Sequence, residues 1–231
     1  DQINDKELIE KLLKVNKEER EKIIKENKCR ITPEFINKIL IEANDNCKDI
    51  ESLDPFKNLV KLAMELSIST GDRISEGKSL IFYSIIEVLE EKSKNPRSLE
   101  KALSLFKETG DKKGEVACCI FKGLFMINYD YNAGMDEVDK CLKPYKDINA
   151  EKEIADTMLI QAEEASKHGR KEKAIEYYEK ALDIYDKNNY LLKKALTHRF
   201  IAETIRSTGG KKKALEEMEH ADNIIKSITD E

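Results

Sequence analysis

Tryptophan is absent from this 231-residue sequence, and proline and glycine are scarce, at 4 and 9 residues. An all-β sandwich or barrel turns its chain roughly every 8–12 residues and relies on Gly and Pro to do so, so this class is excluded. No apolar run approaches the ~18–20 residues needed to cross a bilayer, and no membrane partner is expected. The opening residues, Asp1 to Glu7, lack the basic-then-apolar order of a secretory signal. The five cysteines, Cys29, Cys47, Cys118, Cys119 and Cys141, are odd in number and show no C-x-x-C pair. That pattern fits a reducing compartment better than a disulfide framework or a zinc site, so a cytoplasmic location is expected.

Catalytic signals are equally sparse. His168, His198 and His220 do not stand at metal-ligand spacing, and H-E-x-x-H does not occur. Thr208-Gly209-Gly210-Lys211 lacks the spacing of a phosphate-binding loop. The adjacent Cys118 and Cys119 read as structural thiols, and Glu163-Glu164 as a solvated helix face. Nothing assembles a nucleophile, a base and an oxyanion site, so the expectation is a protein that is not an enzyme and needs no metal and no cofactor.

Charge is abundant. Asp, Glu, Lys and Arg make up 38% of the chain, against about 25% in an average globular protein. Lys plus Arg is 41 and Asp plus Glu is 46, for a formal net charge of −5. Lys193-Lys194 and Lys211-Lys212-Lys213 are interspersed with acids, whereas a surface that tracks phosphates is markedly basic; no nucleic-acid partner is expected. Apolar residues, at 40%, suffice for a core. They fall at helical spacing almost throughout: Leu8, Leu12, Ile23 and Ile24, then Phe35, Ile36, Ile39 and Leu40 after a Thr32-Pro33-Glu34 start signal, then Phe56, Leu59, Val60 and Ala63 after Asp54-Pro55. About a dozen helices joined by short polar turns account for the chain.

The helices repeat. Thr70-Gly71-Asp72 recurs as Thr109-Gly110-Asp111, and Ile81-Phe82 recurs as Ile120-Phe121, each 39 residues later. Gly169 and Gly209 are 40 apart. The small residues Ala63, Ala102, Cys141, Ala181 and Ala221 step by 39, 39, 40 and 40. A period near 40 in helical sequence signals stacked hairpins, in which small residues set where helices approach closely.

Ala162, Gly169, Ala174, Tyr178 and Ala181, and again Ala202, Gly209, Ala214, Met218 and Ala221, resemble the tetratricopeptide repeat. In that pattern a small residue lies midway along the first helix, Gly in the turn, and Ala, an aromatic and Ala along the second. The two earlier units carry Ser84 and Gly123 for the first small residue, but Asn95 and Gly134 where Ala is expected. The period exceeds the usual length of about 34 and is similar to the longer-helix variants of kinesin light chains and GoLoco-binding adaptors. The resemblance covers residues 55–231 and implies an all-α fold, a right-handed superhelical array of antiparallel hairpins. Residues 1–54 are expected to form a helical N-terminal capping region.

The resemblance further implies a protein–protein interaction scaffold whose first helices line a concave groove for a peptide or a helix. The partner-binding positions it gives are Ile81, Ile120, Leu124, Asn128, Glu163, Lys167, Arg199, Glu203 and Arg206, apolar toward one end and charged toward the other. Ile81, Ile120 and Leu124 could equally be packed core. The Lys–Asn pair by which chaperone-tail binders clamp a carboxylate is missing. Two alternatives remain: a regulatory or sensor segment of a larger multidomain protein, suggested by the missing initiator Met, and a homodimer through the last helix, where Leu215, Ala221, Ile224, Ile225 and Ile228 are apolar on more than one face.

Overall fold

Asn4 and Glu7 start the first helix reciprocally: the Glu7 N–H donates to Asn4 Oδ1 at 2.9 Å and the Asn4 N–H to Glu7 Oε2 at 2.9 Å. This capping box satisfies two N–H groups that a helix start otherwise leaves without partners. Asn16, Asp72 and Asp111 cap later helices by accepting from Glu19, Ser75 and Gly114 N–H at 3.0, 3.0 and 3.1 Å. The Phe35 N–H likewise donates to the Thr32 hydroxyl at 3.3 Å, as the Thr32-Pro33 signal predicts.

The computed structural model describes residues 3–46 and 53–229; Cys47 lies outside them. Among the described residues there are twelve α-helices and no strand. They are α1 (Asp5–Lys14), α2 (Lys17–Glu26), α3 (Pro33–Asn46), α4 (Asp54–Thr70), α5 (Arg73–Glu91), α6 (Arg97–Thr109), α7 (Lys112–Ile127), α8 (Tyr131–Asp147), α9 (Glu151–Lys167), α10 (Lys171–Lys187), α11 (Leu191–Arg206) and α12 (Lys211–Thr229). Neighbours in sequence pack on one another, as in α3–α4–α5–α6–α7 and α9–α10–α11–α12. The chain divides into two units, residues 1–138 and 139–231, with the boundary inside α8.

The turns obey the repeat more closely than the sequence suggests. Gly71, Gly110, Asn149 and Asn189 all adopt positive φ, at 74°, 71°, 53° and 55°. Each ends a helix in the same way: the following N–H, of Asp72, Asp111, Ala150 and Tyr190, donates at 2.9 Å to the carbonyl five residues back. These bonds satisfy carbonyls at the end of the helix in the Schellman manner, and Asn is the residue other than Gly that reaches this conformation most readily. Gly169 and Gly209 play the same part at φ 73° and 90°, where the glycine pair predicts a turn.

In the first unit, Leu8, Leu12, Ile23, Ile36 and Ile39 from α1–α3 share one cluster with Phe56, Leu62 and Leu66 of α4. Apolar residues of α1, α2 and α3 thus pack in one core with α4. Further on, the ring of Phe106 on α6 is fully buried between α5 and α7, where Gly77 and Gly114 leave room for it. A Cβ at Gly77 would meet the ring at 2.7 Å and one at Gly114 at 2.3 Å. Fully burying such a side chain contributes about 2–3 kcal/mol. The small-residue ladder lies in the core throughout: Ala63, Ala102, Ala181 and Ala221 are fully buried and Cys141 is 2% exposed.

The cysteines are of two kinds. Cys29 and Cys118 are free thiols, the first exposed and the second buried. Cys119 and Cys141 are in disulfide form, which corrects the reading of Cys119 as a structural thiol and removes the cysteine argument for a reducing compartment. No helix among the described residues is long and apolar enough to cross a membrane.

Candidate interaction surface

The nine positions that the repeat resemblance assigns to a groove do not share one environment. On α5, Ile81 is 5% exposed in a cluster with Leu80, Leu99 and Phe106; on α7, Ile120 is 4% exposed. Leu124 is half-buried, and Asn128, at the end of α7, is exposed. In the second unit Glu163 on α9 is half-buried and Lys167 is exposed, while Arg199, Glu203 and Arg206 on α11 are all exposed.

On α11 the exposed residues form one stripe. Leu192, Leu196, Arg199, Glu203 and Arg206 follow at alternating intervals of four and three residues, which keeps them on one helix face. Leu192 is 63% exposed and Leu196 37%, so the stripe begins apolar and becomes charged. Its opposite face carries Ala195, Ile201, Ala202 and Ile205 into the core. Neither Arg199 nor Arg206 has an ion pair or side-chain hydrogen bond among the described residues. The corresponding stripe on α9 runs Asp156, Ile160, Glu163, Lys167. Here Ile160 is 37% exposed and its neighbour Leu159 is 7% exposed, so Ile160 is the apolar member of this stripe.

Residues from α10 tie the two stripes together. Tyr178, 2% exposed, stacks on Phe200 of α11 with ring centroids 5.9 Å apart. Its hydroxyl is pushed up to about 12, by burial first and then by the Glu163 carboxylate; Glu203 adds to the rise and a hydrogen bond with Thr204 opposes it. The same hydroxyl therefore feels a carboxylate from α9 and one from α11. Toward the start of both helices, Asp156 Oδ1 accepts from the Tyr185 hydroxyl at 2.6 Å and pairs with Lys193 Nζ at 2.9 Å. Lys152 Nζ donates to Asp156 Oδ2 at 3.1 Å. Burial pushes the Asp156 carboxyl up, but these donors outweigh it and hold the group below the usual carboxylate range.

Two further polar contacts in this unit involve buried or half-buried side chains. His198 Nδ1 lies 2.7 Å from Glu217 Oε2, and its ring rests on His220 at 5.4 Å between centroids, joining α11 to α12. Gln161 is fully buried and donates through Nε2 to Asp139 Oδ1 at 2.8 Å. Among the described residues, no group of three or more His, Cys, Asp or Glu is placed to hold a metal ion.

The fold defines an all-α protein of adjacent helix hairpins. No protein-family model matches the sequence. No curated protein matches it either. Among solved structures, the chain is similar to BtubC (BKLC) from P. vanneervenii, with a TM-score of 0.56 and 12% sequence identity, over 99% of this chain and 93% of that one. At this identity the likeness shows a shared fold and nothing about what the chain binds.

Proposed function

We propose that the chain is a non-catalytic protein-interaction module of the tetratricopeptide type, a right-handed array whose first helices receive a peptide or an amphipathic helix from a cytoplasmic partner. The observation that carries this reading is the α11 stripe, where Leu192 and Leu196 stand exposed ahead of two guanidinium groups without partners. Exposed apolar side chains followed by unpaired charge suit a helix whose anchors enter an apolar contact and whose acidic residues meet arginine. The α9 stripe has the same polarity, from Ile160 to Lys167. Glu163 and Glu203 leave the surface between the stripes mixed in charge, which favours a ligand with both signs over a polyanion.

The test is affinity capture from lysate of the source organism with the native chain and with Arg199→Glu plus Arg206→Glu, followed by crosslink mapping of the captured partner. A partner lost with the double variant and crosslinked to α9 or α11 supports the reading. Equal capture by both chains would remove the charged stripe from the interface.

Self-association through α12 is the second reading. Leu215, 64% exposed, and Ile228, 38% exposed, support it. It predicts a mass that rises with concentration and that Ile225→Asp returns to the monomer value. A constant mass over the accessible concentration range would count against it.

A further inference from the structure

The α2–α4 face of the first unit carries a second groove, remote in sequence from the stripes above. Arg20 fixes its walls. The guanidinium donates to the Leu12 and Val15 carbonyls at 2.7 and 3.1 Å and pairs with Glu65 of α4 at 2.9 Å, so the α1–α2 turn is pinned to α4. Between the two helices lies an open cavity of about 740 Å³. Its floor is apolar: Ile24 from α2, Met64 and Ile68 from α4, with Ile68 60% exposed. Its rim is basic: Lys17 and Lys25 from α2, Lys28 from the turn after it and Lys61 from α4. All four lysines are exposed, and none has an ion pair or side-chain hydrogen bond among the described residues. Among the described residues the carboxylates lining it are Glu21 and Glu65, and Glu65 is already engaged by Arg20.

The four lysines converge on one groove, in a chain whose formal net charge is −5. Holding four lysines around an apolar floor with Glu21 as the carboxylate not already engaged leaves a net positive rim, whose electrostatic cost an acidic ligand would recover. Lys17, Glu21 and Lys25 follow at helical intervals on α2, as do Lys61, Met64 and Ile68 on α4, so both walls are helix faces, with Lys28 in the turn that follows α2. A third helix fits two such walls by placing apolar side chains at i, i+3 or i+4 and i+7 along the floor.

From this juxtaposition we propose that the α2–α4 groove docks an acidic amphipathic helix, with aliphatic side chains on the Ile24–Met64–Ile68 floor and Asp or Glu flanks against Lys17, Lys25, Lys28 and Lys61. The site does not depend on the α11 stripe.

The experiment uses the full chain and three probes: a fluorescent helical peptide with a leucine stripe and glutamate flanks, the same stripe with lysine flanks, and the glutamate peptide with its leucines replaced by alanine. Anisotropy is read at low and at high salt. The acidic amphipathic probe binds and the other two do not. Ile68→Glu, and separately Lys25→Glu with Lys61→Glu, each weaken it roughly tenfold or more, and high salt weakens it comparably. These side chains are exposed, so thermal melts of the variants should match the parent. All of these titrations are made in the Arg199→Glu plus Arg206→Glu background, which removes any binding of the acidic probe at the α11 stripe, so the groove is read alone and failure here and failure of the α11 reading are separable. Absence of binding by the acidic probe overturns the proposal, as does binding that survives both groove variants. Tighter, lysine-dependent binding to vesicles of anionic phospholipid or to single-stranded RNA than to the peptide would also overturn it, in favour of those surfaces.

Discussion

Tyr185 and Asp156, 29 residues apart in sequence, share a 2.6 Å hydrogen bond in which a fully buried tyrosine hydroxyl donates to a carboxylate that also holds Lys193. One contact thus joins α10 to α9 and, through Lys193, to α11. Tyr185→Phe removes a charge-assisted hydrogen bond and should cost roughly 1–2 kcal/mol in urea unfolding. Because the Asp156 carboxyl is held below its ordinary 3.8, its contribution is present above that value and lost as pH falls through the depressed one. Without the Tyr185 donor the folded and unfolded values draw together, so the fall in stability on acidification below pH 3.8 should be shallower in the variant. Parallel slopes for the two proteins would show that Lys193 and Lys152 alone set the Asp156 titration.

The left-handed turns make a prediction that separates conformation from packing. A Cβ at Gly110 would meet nothing within 4 Å, so the cost of Gly110→Ala is conformational alone. It should be about 1–2 kcal/mol, the usual difference for a non-glycine residue at positive φ. Gly110→Asn should cost less, since Asn149 and Asn189 hold the equivalent positions at φ 53° and 55°. Equal unfolding midpoints for the parent and the alanine variant would mean that the turn relaxes to another conformation.

Those two asparagines show where sequence reading stops. The small-residue ladder from Ala63 to Ala221 is legible because a close helix approach excludes larger side chains, and every rung is buried. The turns at Asn149 and Asn189 are not, because Asn is common in loops and its left-handed conformation leaves no mark unless the residue is aligned with Gly71 and Gly110. The site divides in the same way. Gly209 fixes the register of α11, so Arg199, Glu203 and Arg206 fall where the repeat puts them, exposed on one face. Leu192 is not legible as part of that stripe, and on α9 the adjacent apolar residues Leu159 and Ile160 differ in exposure, 7% against 37%, because a shift of one residue turns a side chain by about 100°. Ile81 and Ile120 are apolar under either reading, and only the packed neighbours show that both are covered. The lysine-rimmed groove draws on α2 and α4, some forty residues apart, and no local pattern joins them.

Gly123 and Gly134 are the places where the repeat looks weakest, and there helix backbones approach too closely for a Cβ. A Cβ on Gly134 would stand 2.5 Å from the Ile127 backbone nitrogen and 2.8 Å from the Gly123 carbonyl oxygen. Those contacts are with backbone, which cannot swing aside. Alanine, the residue the repeat pattern expects at this position, is therefore excluded, and Gly134→Ala should destabilise the first unit by about 2–3 kcal/mol. A differential scanning trace unchanged by that substitution would mean that α7 and α8 can separate without penalty.

The two free thiols among the described residues differ in a way alkylation can read. Burial pushes the Cys118 thiol up to about 12, with Asp111 and Glu115 adding to the rise, and the side chain is 2% exposed. The thiolate is the nucleophile, so Cys118 presents almost none of it at pH 8, and reagent cannot reach the sulfur without opening the α6–α7 core. Cys29 is exposed. Iodoacetamide at pH 8 should therefore modify Cys29 in the native chain and spare Cys118, and both should react once urea unfolds the protein. Peptide mass spectrometry resolves the two sites. Modification of Cys118 at a rate comparable to Cys29 in the native chain would mean that α7 opens readily, and the rate in increasing urea would then measure the stability of that helix separately from the whole.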